Sequence, residues 1–339
     1  MPERLVISVK SEQLAWLIRR HAVEMTHHSG ASHIASILSV ADIVAVIYSG
    51  VANVDPKFPD DPKRDRVILS KGHAGAAIYA ALAETGFFDP AELLTVYQNG
   101  SRLSGHVSHK GVPGVDFSTG SLGHGLPVAA GMAMAAKKNN ENYRAFAVLG
   151  DGECDEGSVW EAALVANHYG LDNLIAVVDH NKMQSLDYCE NTIKLSPFAD
   201  KWRAFGWNVL DIDGHDHAAL QRAFELAKNH KGSPSVIIAN TVKGKGISFM
   251  ENDILWHYRF PHDGWEYDNA VAELKAAMPQ GVKDPYEDKY VQKLWLVHSW
   301  FVKSADSFVP LSFPLLILSL LYIFPMPFVR FCGLFPMSF

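Results

Sequence analysis

The chain has 339 residues, of which 48% are hydrophobic, and this composition can fill a large core and excludes a mainly disordered protein. The net charge of −7, with no block of five or six like charges, excludes nucleic-acid binding through a basic face. The three cysteines have no Cys-x-x-Cys spacing, which predicts neither a disulfide framework nor a structural zinc site. The N-terminal segment lacks the unbroken apolar run of a secretory signal. We therefore expect a cytoplasmic protein.

From residue 1 to about 288, helical patterns alternate with short β-branched runs, which predicts an α/β fold with a doubly wound parallel sheet. The predicted strands are 66–70, 143–150, 173–181, 207–214 and 235–242. Helices are predicted at 123–139, which is rich in alanine, and at 157–171, which ends at Gly170 as a C-cap. In the second helix one side carries Trp160 and Leu164, with Ala163 and Asn167 as further candidates.

Residues 289–339 differ in composition from the rest of the chain. From residue 307 onward the only charged side chain is Arg330, and the uncharged run 307–329 is long enough on paper to cross a bilayer. Prolines leave only ten uninterrupted residues, between Pro314 and Pro325, which is short for a spanning helix. We therefore predict a domain at 1–288 and an atypical apolar tail at 289–339 of non-native origin, with a membrane segment or a partner-binding segment as the alternatives.

The most informative segment is 147–185, which has the pattern of a strand, a Gly-Asp-Gly turn, a helix and a second strand. Gly150 and Gly152 let the backbone approach a large anion, and the helix that follows offers unpaired N–H groups. Asp151 would repel a phosphate unless a divalent cation lay between them. Asn181, thirty residues further on, can supply a second oxygen ligand, which predicts a Mg²⁺ or Ca²⁺ site that also carries phosphate oxygens.

Gly-Asp-Gly followed by Asn at this distance resembles the thiamine diphosphate motif, and other segments narrow the resemblance to the transketolase family. The segments that match are 29–43, 69–74, 104–107, 119–125, 150–157, 179–185 and 241–257. The chain resembles the N-terminal, diphosphate-binding subunit of a transketolase split over two polypeptides. The resemblance covers residues 10 to about 288 and implies a thiamine diphosphate-binding fold of the PP-domain type.

The resemblance also implies roles for individual residues. Asp151, Asn181 and the backbone carbonyl of Met183 would bind the metal. The residues expected to contact thiamine diphosphate are His73, Gly120, Ser121, Leu122, Gly152, Glu153, Asn181 and His257. The histidines expected to face the ketose donor and move protons are His33, His106 and His257. Glu156 would belong to an acidic network that couples two cofactors across a dimer interface.

The activity implied is transfer of a two-carbon ketol unit from a ketose phosphate to an aldose phosphate, as in the pentose phosphate pathway. The family's catalytic glutamate belongs to a pyrimidine-binding domain, and nothing after residue 288 resembles that domain. We therefore expect a C-terminal partner subunit, an α2β2 heterotetramer and almost no activity from the single chain. Tyr258 stands where the family tends to have glycine, which favours a different substrate pocket.

Three further interpretations remain open from the sequence. One is a related thiamine enzyme similar to 1-deoxyxylulose-5-phosphate synthase, another is a transketolase for an unusual sugar, and the third is a catalytically silent homologue that acts as an interaction protein. Cys154, beside the metal motif, is predicted to be a small buried thiol and not a nucleophile. The histidines outside the motifs are predicted to be surface or capping residues: His27, His28, His109, His168, His180, His215, His217 and His230.

Overall fold

A computed structural model of the chain describes residues 9–287. The chain divides into two units, Met1–Val282 and Lys283–Phe339. The predicted domain boundary at residue 288 stays a prediction, and the predicted apolar tail, 289–339, lies outside the described residues.

Five parallel strands form the central sheet, in the order β1-β2-β3-β5-β4. Their bounds are Arg66–Leu69 (β1), Ala145–Gly150 (β2), Leu174–His180 (β3), Asn208–Asp213 (β4) and Ser235–Asn240 (β5). Each lies inside a predicted strand, because their β-branched and aliphatic runs are visible in the sequence, and β2, β3 and β5 are buried along almost their whole length. The α/β prediction is therefore confirmed.

Nine α-helices surround this sheet within the described part of the chain. They are Ser11–Ser29 (α1), Ile34–Val46 (α2), Gly75–Glu84 (α3), Gly125–Lys138 (α4), Gly157–His168 (α5), Cys189–Thr192 (α6), Phe198–Ala204 (α7), His217–Asn229 (α8) and Trp265–Ala276 (α9). A π-helical turn, Ile47–Val51, extends α2, and 3₁₀ turns occupy Gly72–Ala74, Pro90–Thr95, Gly152–Asp155 and Ile254–His257.

Helices cover both faces of the sheet, as a doubly wound fold requires. Alternate sheet residues such as Ala147 and Ala176 belong to one core cluster with α4, α5 and Trp202 of α7. On the opposite face Phe146 of β2 meets Phe224 of α8, with ring centroids 6.0 Å apart. Because successive side chains of a strand point to opposite faces, each strand contributes to both cores.

The side of helix α5 that was predicted to carry Trp160, Leu164, Ala163 and Asn167 is buried only in part, since Ala163 is buried and Trp160 packs against the core. Its buried side chains are Val159, Ala162, Ala163 and Ala166, whereas Leu164 is 60% exposed. Small alanine side chains let α5 lie close to the alanine-rich α4, so the tight face is the alanine face. The helix ends at His168 with Tyr169 as its C-cap, and the predicted cap Gly170 follows one residue later with a positive φ of 55°.

Helix α2 is the most apolar helix of the described residues. With its π-helical extension it spans Ile34–Val51, long and apolar enough to cross a membrane, but 83% of this stretch is buried within the protein. Such burial is typical of a core helix. Its N-terminal end carries His33, so the rigid central helix positions one of the predicted site residues.

Two histidines predicted to lie on the surface instead help to fasten α2. His215 and His217, which follow β4, hydrogen-bond the carboxylate of Asp42 on α2 at 2.6 and 3.0 Å. Arg19 of α1 forms an ion pair with the same carboxylate. Burial raises the pKa of Asp42, but Arg19 and the histidine hydrogen bonds outweigh it and hold the pKa well below its usual range.

Candidate active site

The predicted metal ligands meet at the carboxyl ends of β2 and β3. These strands are neighbours, with Gly150 opposite Asp179, so Asp151 and Asn181 follow at the same edge of the sheet. Both side chains are buried, at 1% and 5% exposure. In a parallel α/β sheet this edge is where ligands bind.

Backbone groups orient these polar side chains. The carboxylate of Asp151 accepts hydrogen bonds from the backbone N–H groups of Gly152 and Lys182, at 2.8 and 2.5 Å. The side-chain oxygen of Asn181 accepts from the N–H of Met183 at 3.1 Å. Burial still raises the pKa of Asp151, so its ionised form lacks full compensation from the protein.

These three residues fit a hard divalent cation. Among residues 9–287 no group of three or more His, Cys, Asp or Glu side chains could hold a metal. The predicted set instead combines one carboxylate, one amide oxygen and the carbonyl oxygen of Met183, a set of oxygen ligands that suits Mg²⁺ or Ca²⁺. A cation here would compensate the buried carboxylate of Asp151.

Gly152 gives the backbone a close approach beside the metal ligands. A Cβ atom at this position would stand 2.7 Å from Cγ of Gln184, which is too close for an ordinary contact. Gly120 lies against the ring of His106, 3.4 Å from an added Cβ. Glycine at both positions therefore lets the loop backbones pack closely against the side chains of Gln184 and His106, and the contact of this segment with thiamine diphosphate stays a prediction.

Four predicted histidines converge on one pocket from four separate segments. The ring of His33 lies 5.1 Å from that of His73, 5.7 Å from that of His106 and 5.2 Å from that of His257, between centroids. His73 and His257 are 5.6 Å apart. The structure therefore brings together all four histidines that sequence reasoning selected.

Hydrogen bonds assign different tautomers to two of these rings. Nδ1 of His33 lies 2.9 Å from the backbone carbonyl oxygen of His257, which can only accept, so His33 carries its proton on Nδ1 and leaves Nε2 as an acceptor. Nδ1 of His257 accepts from Nζ of Lys243 at 2.7 Å, so its proton resides on Nε2. The pocket therefore offers both an acceptor and a donor nitrogen.

Burial keeps the pocket histidines neutral. It lowers the pKa of His33 to about 4 and that of His257 to about 2, with further lowering by nearby Lys243. Burial also lowers the pKa of His73 well below 6.5 and lowers that of His106. A neutral imidazole has one nitrogen that donates a hydrogen bond and one that accepts, which suits these side chains to hold hydroxyl groups.

Glu153 lies where the segment after β1, the end of β2 and the loop before α4 come together. The buried Glu153 carboxylate accepts hydrogen bonds from Ser70 Oγ and from the N–H groups of Gly123 and Gly150. It therefore joins β1, β2 and the loop that carries Gly120, Ser121 and Leu122. Its role as a direct cofactor contact stays a prediction, as does the role of Glu156, which is exposed at the start of α5.

Sequence reasoning missed a buried charged network beneath the pocket. Lys71 forms an ion pair with Asp179, and both side chains are almost fully buried. Asp179 also accepts from Ser39 Oγ at 2.6 Å and from Thr241 Oγ1. The amide nitrogen of Asn181 lies 3.4 Å from Asp179, an arrangement that turns its oxygen toward the metal site.

Lys243 is the second missed cation. It is 1% exposed, contacts His257, and lies 3.3 Å from the carbonyl oxygen of Met183. Burial, assisted by Lys71, lowers its pKa to about 8. Both lysines lie beside a glycine in a segment that matched the family, which marked their positions but not their burial.

Comparison with known proteins agrees with this geometry. The family model described as transketolase, thiamine diphosphate binding domain, matches residues 10–259. A 6-deoxy-6-sulfo-D-fructose transketolase subunit, SqwG, of Clostridium sp. (strain MSTE9) is 43% identical over 76% of this chain and 94% of its own length. One of the apulose-4-phosphate transketolase subunits, from Phocaeicola vulgatus, is 40% identical over 76% of this chain and 90% of its own length.

Solved structures share the fold. Transketolase from Campylobacter jejuni has a TM-score of 0.73 and 28% identity, with 81% of this chain and 43% of that chain covered. Transketolase from Leishmania mexicana has a TM-score of 0.70 and 26% identity, with 88% and 48% covered. The chain thus spans less than half the length of the solved proteins it matches.

Proposed function

The chain belongs to the transketolase family, and from that premise we propose that it is the diphosphate-binding subunit of a thiamine diphosphate- and Mg²⁺-dependent transketolase. The observation that carries the proposal is the convergence of His33, His73, His106 and His257 beside the buried pair Asp151 and Asn181. The reaction proposed is transfer of a two-carbon ketol unit from a ketose phosphate to an aldose phosphate.

The residues of this chain would hold the cofactor by its charged end. Asp151, Asn181 and the carbonyl oxygen of Met183 would bind the Mg²⁺ that neutralises the diphosphate. The phosphate oxygens would contact His73, Gly152 and Lys243. The buried ammonium of Lys243 and the glycine backbone at Gly152 both favour an anion there. Thiamine diphosphate supplies, when bound, an electron sink for the carbanion left by carbon–carbon cleavage.

The pocket histidines would handle the substrate. Nε2 of His33 can accept a hydroxyl proton, and the Nε2–H of His257 can donate to an oxygen, since their Nδ1 atoms are already engaged. His106, on the loop that also carries Gly105, would hold a further hydroxyl of the donor. Matched acceptor and donor groups allow one hydroxyl proton to leave and another to return in each half of the reaction.

A partner polypeptide would complete the enzyme. The chain covers 43% of the Campylobacter jejuni transketolase it resembles, and two similar proteins are named as subunits. We propose that a pyrimidine-binding subunit supplies the remaining groups in an α2β2 heterotetramer. We also propose a reducing compartment such as the cytoplasm, where the buried free thiols Cys154 and Cys189 would persist.

A second candidate is a transketolase for an unusual sugar. Two relatives are named for 6-deoxy-6-sulfo-D-fructose and apulose-4-phosphate, and the exposed ring of Tyr258 flanks His33 and His257. A donor and acceptor screen with the reconstituted pair would distinguish this from an ordinary pentose phosphate specificity.

Calorimetry tests the cofactor site directly. We expect thiamine diphosphate with Mg²⁺ to bind the assembled protein. Asp151→Ala should weaken this binding by more than about 100-fold, because removing a residue that merely supports a metal ligand already costs up to about 100-fold. Asp200→Ala is the matched control, because that exposed carboxylate on α7 pairs with Arg203 on the surface and should leave binding unchanged. Absence of binding to the assembled wild-type protein would favour the catalytically silent homologue.

Ketol transfer should require both subunits. We expect cofactor-dependent transfer in the mixture of this chain with its partner and almost none from either alone. Full activity of the single chain would contradict the proposed division of the active site.

A further inference from the structure

Tyr258 forms part of the wall of the histidine pocket. Its ring centroid lies 4.7 Å from that of His257 and 5.6 Å from that of His33. The side chain is nevertheless 57% exposed, while His257 behind it is 8% exposed. Tyr258 therefore stands at the outer rim of the pocket, in front of two histidines that face the interior.

The backbone around Tyr258 is anchored on both sides. Trp256 is buried, and the guanidinium of Arg259 lies 4.9 Å above its ring. Arg259 also forms an ion pair with Glu266 at the start of α9, which joins this segment to a neighbouring helix. An anchored backbone lowers the ordering cost of binding at Tyr258, because only its side-chain torsions remain to be fixed when a ligand contacts the ring.

The chemistry of this rim favours hydroxyl groups over an anion. Arg259, the adjacent cation, is already paired with Glu266, so the segment presents no unpaired positive charge of its own. The phenol of Tyr258 can both donate and accept a hydrogen bond. Within residues 9–287 this hydroxyl has no hydrogen-bond partner, so it is available to a ligand.

The position along the substrate follows from the depth of the pocket. In a ketol transfer the C1–C2 unit reacts at the cofactor, which the proposed function places beside Asp151 and the histidines. Tyr258 lies on the exposed side of that cluster, because it is 57% exposed whereas the adjoining His257 is 8% exposed. Resting on the transketolase activity proposed above, we propose that Tyr258 is a specificity-determining residue whose hydroxyl binds a hydroxyl group of the ketose donor beyond C3.

The test compares donors that do and do not reach Tyr258. The full chain, assembled with a pyrimidine-binding partner, is assayed with β-hydroxypyruvate, which ends at C3, and with ketose phosphates of five to seven carbons and 6-deoxy-6-sulfo-D-fructose. Tyr258→Phe removes only the hydroxyl, and Tyr258→Gly removes the wall. We expect Tyr258→Phe to lower kcat/KM about tenfold for the preferred long donor, which corresponds to one hydrogen bond, and to leave β-hydroxypyruvate unchanged.

Tyr169→Phe is the matched control. Tyr169 is 55% exposed and packs edge-on against a histidine, His168, at 4.9 Å, but it lies at the end of α5 and not in the pocket. If the Tyr258 variants lose kcat/KM equally for short and long donors, or for no donor, the specificity role is overturned. Ketol transfer by the wild-type assembly would in that case still support the proposed function. A wild-type assembly that transfers no ketol unit from any donor would refute the proposed function itself.

Discussion

His33 links the protonation of the pocket to the stability of the fold. Burial, with His106 and Lys243 nearby, lowers its pKa from 6.5 to about 4. Between these pH values the unfolded chain binds a proton that the folded chain excludes. The stability is therefore fully present above pH 6.5 and is lost as the pH falls toward 4. At about 1.4 kcal/mol for each unit of pKa, this corresponds to about 3 kcal/mol.

The substitution His33→Asn isolates this contribution. His33 has a left-handed backbone with a φ of 78° and donates from Nδ1 to the carbonyl of His257. Asparagine tolerates that conformation better than most residues, and its amide can replace the donor, but it does not titrate. The other pocket histidines remain in both proteins, so the difference between the two proteins reports His33.

Urea denaturation of the full chain without cofactor, at pH values from 7 to 4, measures the effect. We expect the free energy of unfolding of the wild type to fall by about 3 kcal/mol more than that of His33→Asn over this range. Parallel pH dependences of the two proteins would refute the reasoning, because His33 would then titrate alike in the folded and unfolded states.

Two further predictions concern buried groups near the site. The substitution Lys71→Met leaves the carboxylate of Asp179 buried without its cation. We therefore expect urea denaturation to show a free energy of unfolding that is lower by about 3–5 kcal/mol. A loss below about 1 kcal/mol would contradict a tightly buried ion pair. Cys154 is fully buried and its thiol pKa is raised well above 9.0 by burial, so we expect no labelling by a thiol reagent at pH 8 in the native protein but full labelling after denaturation.

The predicted site was recoverable from the sequence because its residues lie in short local patterns. Gly150, Asp151 and Gly152 follow a run of buried strand residues, and Asn181 follows the next strand, so their proximity results from the pairing of β2 with β3. The four histidines each lie in a recognisable loop. Their distances, however, depend on segments that are up to 224 residues apart, as the hydrogen bond from His33 to His257 shows.

Features that depend on packing were not recoverable. Nothing in the local sequence of Lys71 or Lys243 shows that either side chain is buried, because burial depends on which loops close over it. The same holds for Leu164, which periodicity placed on the same side of α5 as Trp160 but which is exposed, since the fit between α4 and α5 favours the alanine side chains.

The sequence by itself determined the α/β class, the strands and the residues that meet in the candidate site, because hydrophobic periodicity and glycine-rich turns are local properties of a chain. Only the tertiary structure decided the strand order, the tautomers of His33 and His257, the neutralisation of Asp179 by Lys71 and the place of Tyr258 at the rim. Each of these depends on desolvation and on contacts between distant segments, and such interactions exist only once the chain has folded.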